Sequence, residues 1–261
     1  MTRLLALLYG ALAYILFLAS FLYAVAWLGG FIVPKTIDSG PAAPLFDAVV
    51  VNLLLLTAFA LQHSIMARPA FKRWWTRFVS PPVERATFVL AASTLLFAVC
   101  LGWRSLPDVV WETEGAVALV LRVLFWTGWL VVLSATFMIN HFELFGLRQV
   151  WLHARGRAYT APRYVERFFY RFVRHPIMLG FIVAFWSAPV MSAGHLLFAV
   201  VTTLYILVAL QLEEHDLLQE HGAAYASYRD RVPMLLPGAK LGHKPDAVHR
   251  ETPGTIRAPD T

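Results

Sequence analysis

Charged residues are scarce in this sequence: they make up 15% of its 261 positions, against 59% hydrophobic. A soluble domain is nearer about a quarter charged and about half apolar. That deficit leaves too little polar surface to solvate a globule, which places the chain in the membrane class. Cysteine is nearly absent as well, with Cys100 alone in an apolar stretch. One thiol excludes an internal disulfide framework and a cysteine-based zinc site. Membrane burial argues against a reactive thiolate, so Cys100 reads as a packing residue. There is no Gly-x-Gly-x-x-Gly and no P-loop, so no Rossmann-type cofactor site is supported. No His-x-x-x-His or His-Glu-x-x-His spacing occurs, which argues against a di-iron hydroxylase or a zincin, and no metal is expected. No internal repeat is visible.

What charge there is leans positive, with a formal net charge of +6 and a sequence pI near 9.7. On a soluble protein that balance would suggest nucleic acid. Here most basic residues flank apolar segments, so they read as topology signal and lipid-headgroup contact, and no nucleic-acid partner is expected.

Six apolar segments stand out, at 4–28, 48–66, 86–103, 123–139, 177–191 and 195–212. The first is too long for a signal-peptide core and reads as a membrane helix. In lipid each span must be helical, because its backbone finds no water to bond. Residues 177–191 would extend roughly 22 Å as a helix, short of the roughly 30 Å hydrocarbon core. Pro189 and Ser192-Ala193-Gly194 then break it. The last two segments therefore read as a tight helical hairpin, and five or six spans both fit. The expected fold is an all-α integral membrane bundle of five to six transmembrane helices with a short C-terminal hairpin. Residues 1–237 form one domain. Residues 238–261 are rich in Pro, Gly, His and charge, and read as a disordered tail.

The loops give an orientation. Arg68, Lys72, Arg73 and Arg77 follow the second segment. Arg148, Arg155, Arg157, Arg163, Arg167, Arg171 and Arg174 follow the fourth. Arg229, Arg231, Lys240, Lys244 and Arg250 follow the last. The other loops hold only Lys35 with Asp38, and Arg104 with Asp108, Glu112 and Glu114. Both termini and both basic loops are thus expected in the cytoplasm, and the membrane is expected to be a bacterial inner membrane. Trp27, Trp74, Trp75, Trp103 and Trp111 lie near segment ends, where an aromatic belt would place them.

Polar groups at membrane depth mark function or interhelix contact. Gln62-His63-Ser64 ends the second segment and fits either reading. The fourth segment runs into Asn140-His141-Phe142-Glu143. His141 and Glu143, two apart, do not share a helix face, so a joint metal site is not expected. His63 and His141 could ligate haem, but both lie near the cytoplasmic ends rather than mid-bilayer.

The strongest local pattern is Arg174-His175-Pro176-Ile177-Met178-Leu179-Gly180 at the mouth of the hairpin. Glu213-Glu214-His215-Asp216 follows once the hairpin returns, then Gly222, Tyr225, Tyr228, Val232-Pro233 and Pro237. Folding the hairpin brings Arg174 and His175 beside Glu213 and Glu214. Tyr225 and Tyr228, three apart, share a helix face. Together they offer anion donors, carboxylates and aromatic faces. A ligand carrying a carboxylate, an ammonium and a sulfonium suits that set, and S-adenosylmethionine is one. The same residues also read as an ion-pair network pinning the hairpin.

The stretch from Arg174 to Pro237 resembles the C-terminal signature of the isoprenylcysteine carboxyl methyltransferase and phospholipid methyltransferase group, except that Met178 stands where that group usually has Tyr. Over about residues 5–237 the chain is similar to the nurim-like family. Residues 33–40, Gln62-His63-Ser64-Ile65-Met66-Ala67-Arg68 and Phe142-Glu143-Leu144-Phe145-Gly146-Leu147-Arg148-Gln149 carry that resemblance. It implies an integral-membrane methyltransferase that moves a methyl group from S-adenosylmethionine onto a small thiol, methanethiol, releasing dimethyl sulfide. By the same resemblance His175, Gly180, Glu213, Glu214, Tyr225 and Tyr228 would hold the cofactor, under cytoplasmic loops and a C-terminal helix. A simple alkyl thiol yields little thiolate at neutral pH, so a nearby base or cation is needed, with His63, His141 and Arg174 as candidates. The expected partners are the thiol and membrane lipids. A lipid or prenylcysteine acceptor, a non-catalytic nurim-like protein and a haem-linked redox protein are the competing readings.

Overall fold

The computed structural model describes residues 2–40, 43–160 and 168–238. In chain order the elements are α1 (Arg3–Gly29), α2 (Leu45–Ala67), α3 (Pro69–Trp75), α4 (Pro81–Gly102), β1 (Val109–Glu112), α5 (Gly115–Ile139), α6 (His141–Leu144), α7 (Leu147–Ala154), a 3-10 turn (Phe168–Arg171), α8 (Pro176–Trp186), β2 (Val190–Ser192), α9 (Ala193–His221) and α10 (Ala223–Arg231). Helices α1, α2, α4, α5 and α9 are each long and apolar enough to cross a bilayer. The chain is a multi-pass membrane protein.

Local chemistry sets the helix limits. The Thr2 hydroxyl accepts from the Leu5 amide at 3.3 Å and starts α1. Gly30 ends it with a left-handed φ of 71°. Pro69, Pro81 and Pro176 open α3, α4 and α8, where a missing amide proton is harmless. Asn140 separates α5 from α6, and its side-chain oxygen caps the Glu143 amide at 3.3 Å.

The bundle is turned outward relative to a soluble core. Leu8, Ile15 and Leu22 of α1 are more than half exposed, forming a lipid face. The opposite face of α1 is a stripe of small residues, Ala6, Gly10, Ala13, Ser20 and Ala24. Small residues let helices approach where lipid supplies no hydrophobic drive between them. The tightest crossing joins α5 to α8. A Cβ on Gly128 would lie 2.6 Å from the Gly180 carbonyl oxygen, and one on Gly180 would lie 2.7 Å from that of Gly128. An aromatic cluster fills the interior: Trp27, Trp103 and Phe198 meet edge to face with centroids 5.5–5.9 Å apart. Trp27 and Trp103 are each 1% exposed. They are core residues, not the lipid-facing belt expected from their positions near segment ends.

The hairpin is built differently from the two helices expected. Helix α8 has 11 residues, about 16 Å of rise. It stops at Ser187, and the chain continues extended into β2, which pairs antiparallel with β1 (Val109↔Ser192, Trp111↔Met191, Glu112↔Val190). Strand β1 connects α4 to α5, so residues 176–192 join the two ends of the bundle. This connection between the two ends is therefore part helix and part extended chain. Its freed backbone groups are satisfied, with the Thr113 amide donating to the Pro189 carbonyl at 2.9 Å and the Trp111 indole to the Ala188 carbonyl at 3.1 Å.

At this ribbon end Ser192 donates to the Asp38 carboxylate. Fully buried Asn52 bonds both the amide and the carbonyl of Arg104 at 2.8 Å. The opposite, basic end carries α3, α6, α7, α10 and the mouth of the hairpin. Two spans run furthest past their apolar segments. Helix α5 starts at Gly115 rather than 123, because exposed Arg122 interrupts the apolar run without breaking the helix. Helix α9 has 29 residues, about 43 Å, longer than the hydrocarbon core, and its last turns carry Glu213 and Glu214 past the bilayer. Arg163, Arg167 and the expected tail beyond Gly238, with Lys240, Lys244 and Arg250, lie outside the described residues.

Candidate functional site

At the mouth of the hairpin the chain brings Arg174, His175, Glu213 and Glu214 together. The Arg174 guanidinium donates from Nε and Nη2 to the Glu214 carboxylate at 2.7 and 2.6 Å. Its Nη1 donates to the Arg229 and Val232 carbonyls at 3.0 and 2.5 Å. All three of its nitrogens are engaged, so Arg174 ties α9 to the end of α10. His175 Nε2 lies 3.1 Å from the same Glu214 oxygen, and Nδ1 lies 3.8 Å from Glu213. The backbone closes the arrangement: the Arg174 and His175 amides donate to the Pro233 and Met234 carbonyls at 2.9 and 3.2 Å. Arg174, His175 and Glu214 are buried, whereas the Glu213 side chain is 47% exposed. Glu213 is thus the open carboxylate and Glu214 the closed one.

Tyr225 and Tyr228 share a face of α10, with ring centroids 5.9 Å apart. They are 1% and 2% exposed and pack against Leu217, Leu218 and Val232. The Tyr228 hydroxyl donates to the Tyr170 carbonyl at 2.7 Å. Burial, with the Glu214 charge behind it, pushes the Tyr225 phenol up to about 12, so it stays protonated. Gly180 lies further along α8, at the crossing with α5.

The two other candidates sit on different helices. His141 is buried with both ring nitrogens occupied, Nε2 by the Tyr14 hydroxyl at 2.7 Å and Nδ1 by the Thr136 hydroxyl at 2.9 Å. The Thr136 hydroxyl donates to the Leu133 carbonyl at 2.7 Å. Its oxygen therefore accepts from Nδ1–H, and Nε2 accepts from Tyr14. The ring stacks on Phe137 with centroids 4.2 Å apart. Burial lowers its pKa, favouring the neutral form. His63 lies between Phe59 and Phe88, with centroids 5.5 and 5.0 Å away. Its buried Nδ1 has no hydrogen-bond partner among the described residues, and the same holds for the neighbouring Gln62 side-chain oxygen.

A second constellation was not anticipated as a site. The Glu143 carboxylate accepts from Arg148 at 2.7 Å, Gln149 at 2.8 Å and the Tyr159 hydroxyl at 2.6 Å. Burial and that hydrogen bond push the Tyr159 phenol up to about 12. Gly146 makes the pairing possible, at φ +84°, where a Cβ would come within 2.8 Å of the Ala86 amide. The chain turns tightly there and folds the residues after it back onto Glu143. Glu143 and Arg85 of α4 line a cavity of about 550 Å³ with α3 and α7. None of the nine candidate residues lines it.

No protein-family model matches the chain, and no solved structure does. Among curated proteins it is 56% identical over 238 residues to a methanethiol S-methyltransferase of Mycobacterium tuberculosis, covering 91% of this chain and 98% of that one. It is 53% identical over 236 residues to methanethiol S-methyltransferase 1 of Bradyrhizobium diazoefficiens, covering 90% and 83%. Nurim of Bos taurus is 32% identical over 180 residues, covering 65% and 68%.

Proposed function

Because the chain belongs to the methanethiol S-methyltransferase family, with nurim a more distant relative, we propose that it transfers the methyl group of S-adenosylmethionine to methanethiol. The products are dimethyl sulfide and S-adenosylhomocysteine. The observation that carries this reading is identity at the 56% level along nearly the whole of a relative of that name. The hairpin mouth supports it. Half-exposed Glu213 beside His175 suits a ligand ammonium. Arg174 is a positioning residue here, since its donors are already engaged by Glu214 and two carbonyls. It and Glu214 fix the ring of His175.

S-adenosylmethionine supplies a methyl group on a sulfonium, which leaves as a neutral thioether. This chain's part is to align and to take a proton. His63 accepts the thiol proton at Nδ1, which is buried and lacks a partner among the described residues. With that donor bound, the thiolate sulfur would take the methyl carbon, and the electron pair of the broken carbon–sulfonium bond would stay on the departing sulfur. Phe59 and Phe88 around His63 exclude water, which would otherwise solvate the nucleophile. Alignment contributes at most roughly 7–11 kcal/mol. The basic end faces the cytoplasm of a bacterial inner membrane, following the bias of its loops.

Protein purified in detergent is expected to convert methanethiol and S-adenosylmethionine to dimethyl sulfide, read by headspace gas chromatography. Glu213→Gln raises the KM for S-adenosylmethionine, and His63→Gln lowers kcat by about 100-fold or more at neutral pH. No product from the unaltered protein overturns the reading. Full activity in His63→Gln removes His63 as the base.

A further inference from the structure

The cavity at the basic end takes no part in the proposed reaction. It lies between α3, α4, α7 and the chain at 157–159, and its 550 Å³ falls within the ~300–1,000 Å³ of ligand sites. Three cations, Lys72, Arg85 and Arg157, line it with two carboxylates, Glu84 and Glu143. Glu143 is already matched by Arg148, Gln149 and Tyr159. Among the described residues no ion pair within 4.0 Å joins Glu84 to any of the three cations. Arg85 donates from Nε to the Leu144 carbonyl at 2.8 Å, and its two terminal nitrogens have no hydrogen-bond partner among the described residues. Burial, and then the like charge of Arg85, push the Lys72 ammonium below its ordinary value. Cations held together in a partly desolvated space are unfavourable unless an anion joins them.

We propose that this cavity binds a phosphate-type anion, and that its source is the headgroup of an acidic phospholipid. The depth of the cavity argues for the lipid. Helix α3 directly follows the spanning α2, and it carries Phe71, Trp74 and Trp75 in mutual ring contact, with Phe78 on Trp74. Trp74 is 48% exposed and Phe78 71%. Exposed aromatic rings at the end of a span sit at headgroup level. Lys72 lies within a turn of them on the same helix, so the cavity opens where lipid phosphates are.

The test uses the full chain in a nonionic detergent, with short-chain phosphatidylglycerol, short-chain phosphatidylcholine and inorganic phosphate as probes. Native mass spectrometry and thermal unfolding read the binding. Phosphatidylglycerol is expected to be retained and to raise the melting temperature, phosphatidylcholine to do neither, and phosphate to act only at higher concentration. Lys72→Gln and Arg157→Gln, whose side chains make no hydrogen bond among the described residues, each weaken phosphatidylglycerol roughly fivefold. Arg73→Gln, on the same helix but outside the cavity, leaves binding unchanged. Glu84→Gln tightens it. Phosphate acting as strongly as phosphatidylglycerol supports the anion site and overturns the lipid source. Equal retention of phosphatidylcholine, no response to either anion, or undiminished binding in the Lys72/Arg157 double variant overturns the site. The readouts are binding and unfolding, so failure of the methyl-transfer reading leaves this result standing, and the reverse.

Discussion

At the residue scale, the sharpest contrast is between two histidines that look alike in the sequence. Each ends an apolar segment, and each has polar neighbours. Only the fold separates them, because the partners of His141 come from Tyr14, 127 positions away, and from Thr136 across the α5–α6 break. The sequence carries no local signal for the Tyr14 contact. Burial holds folded His141 below its ordinary value of 6.5. Between that lowered value and 6.5 the unfolded chain binds a proton that the folded chain does not. This contribution is therefore complete above the window and is lost as pH falls through it. The melting temperature, followed by tryptophan fluorescence in detergent, should drop on acidification below 6.5. His141→Gln should flatten that dependence while destabilising the protein by about 1–3 kcal/mol at neutral pH. An identical acid slope in the variant would remove His141 as its source. The Arg174, His175, Glu213 and Glu214 cluster was legible, because a hairpin must return to its start. The Glu143 cluster was not, since pairing at five and six residues follows no helical face and depends on the turn at Gly146.

At the scale of elements, apolar length identified every long span, and errors fell where a single residue interrupted a run or a helix outlasted its apolar part. Arg122 concealed two turns of α5, and the charged end of α9 concealed its last nine residues. The short, broken hairpin was legible, but the pairing of β2 with β1, some eighty residues earlier, was not, because apolar runs carry no record of pairing partners. Helix α8 depends on the Gly128–Gly180 crossing. Gly180→Ala places a methyl group 2.7 Å from a backbone oxygen, and a backbone cannot turn aside as a side chain can. Thermal unfolding should register a loss on the order of 1–3 kcal/mol. Pairing it with Gly128→Ala should give less than the sum, because one displacement of α8 relieves both. Strict additivity would mean that the two glycines do not share one contact.

At the scale of the whole molecule, the proposed sidedness has a direct reading. Cys100 is fully buried and is the chain's one cysteine, so introduced thiols report without background. Ile32→Cys, at the ribbon end where Ile32 is 95% exposed, should react with a membrane-impermeant maleimide in intact spheroplasts. Arg155→Cys, at the exposed end of α7, should react only after permeabilisation. The reverse pattern would invert the molecule. The composite α8–β2 segment also has a dependence of its own. A segment whose helix rises about 16 Å cannot be read by length as a span when it leaves the ribosome. Its partner strand β1 lies between α4 and α5. Residues 176–192 therefore depend on β1 at one end and on α9 beside them, and the hairpin mouth depends on both.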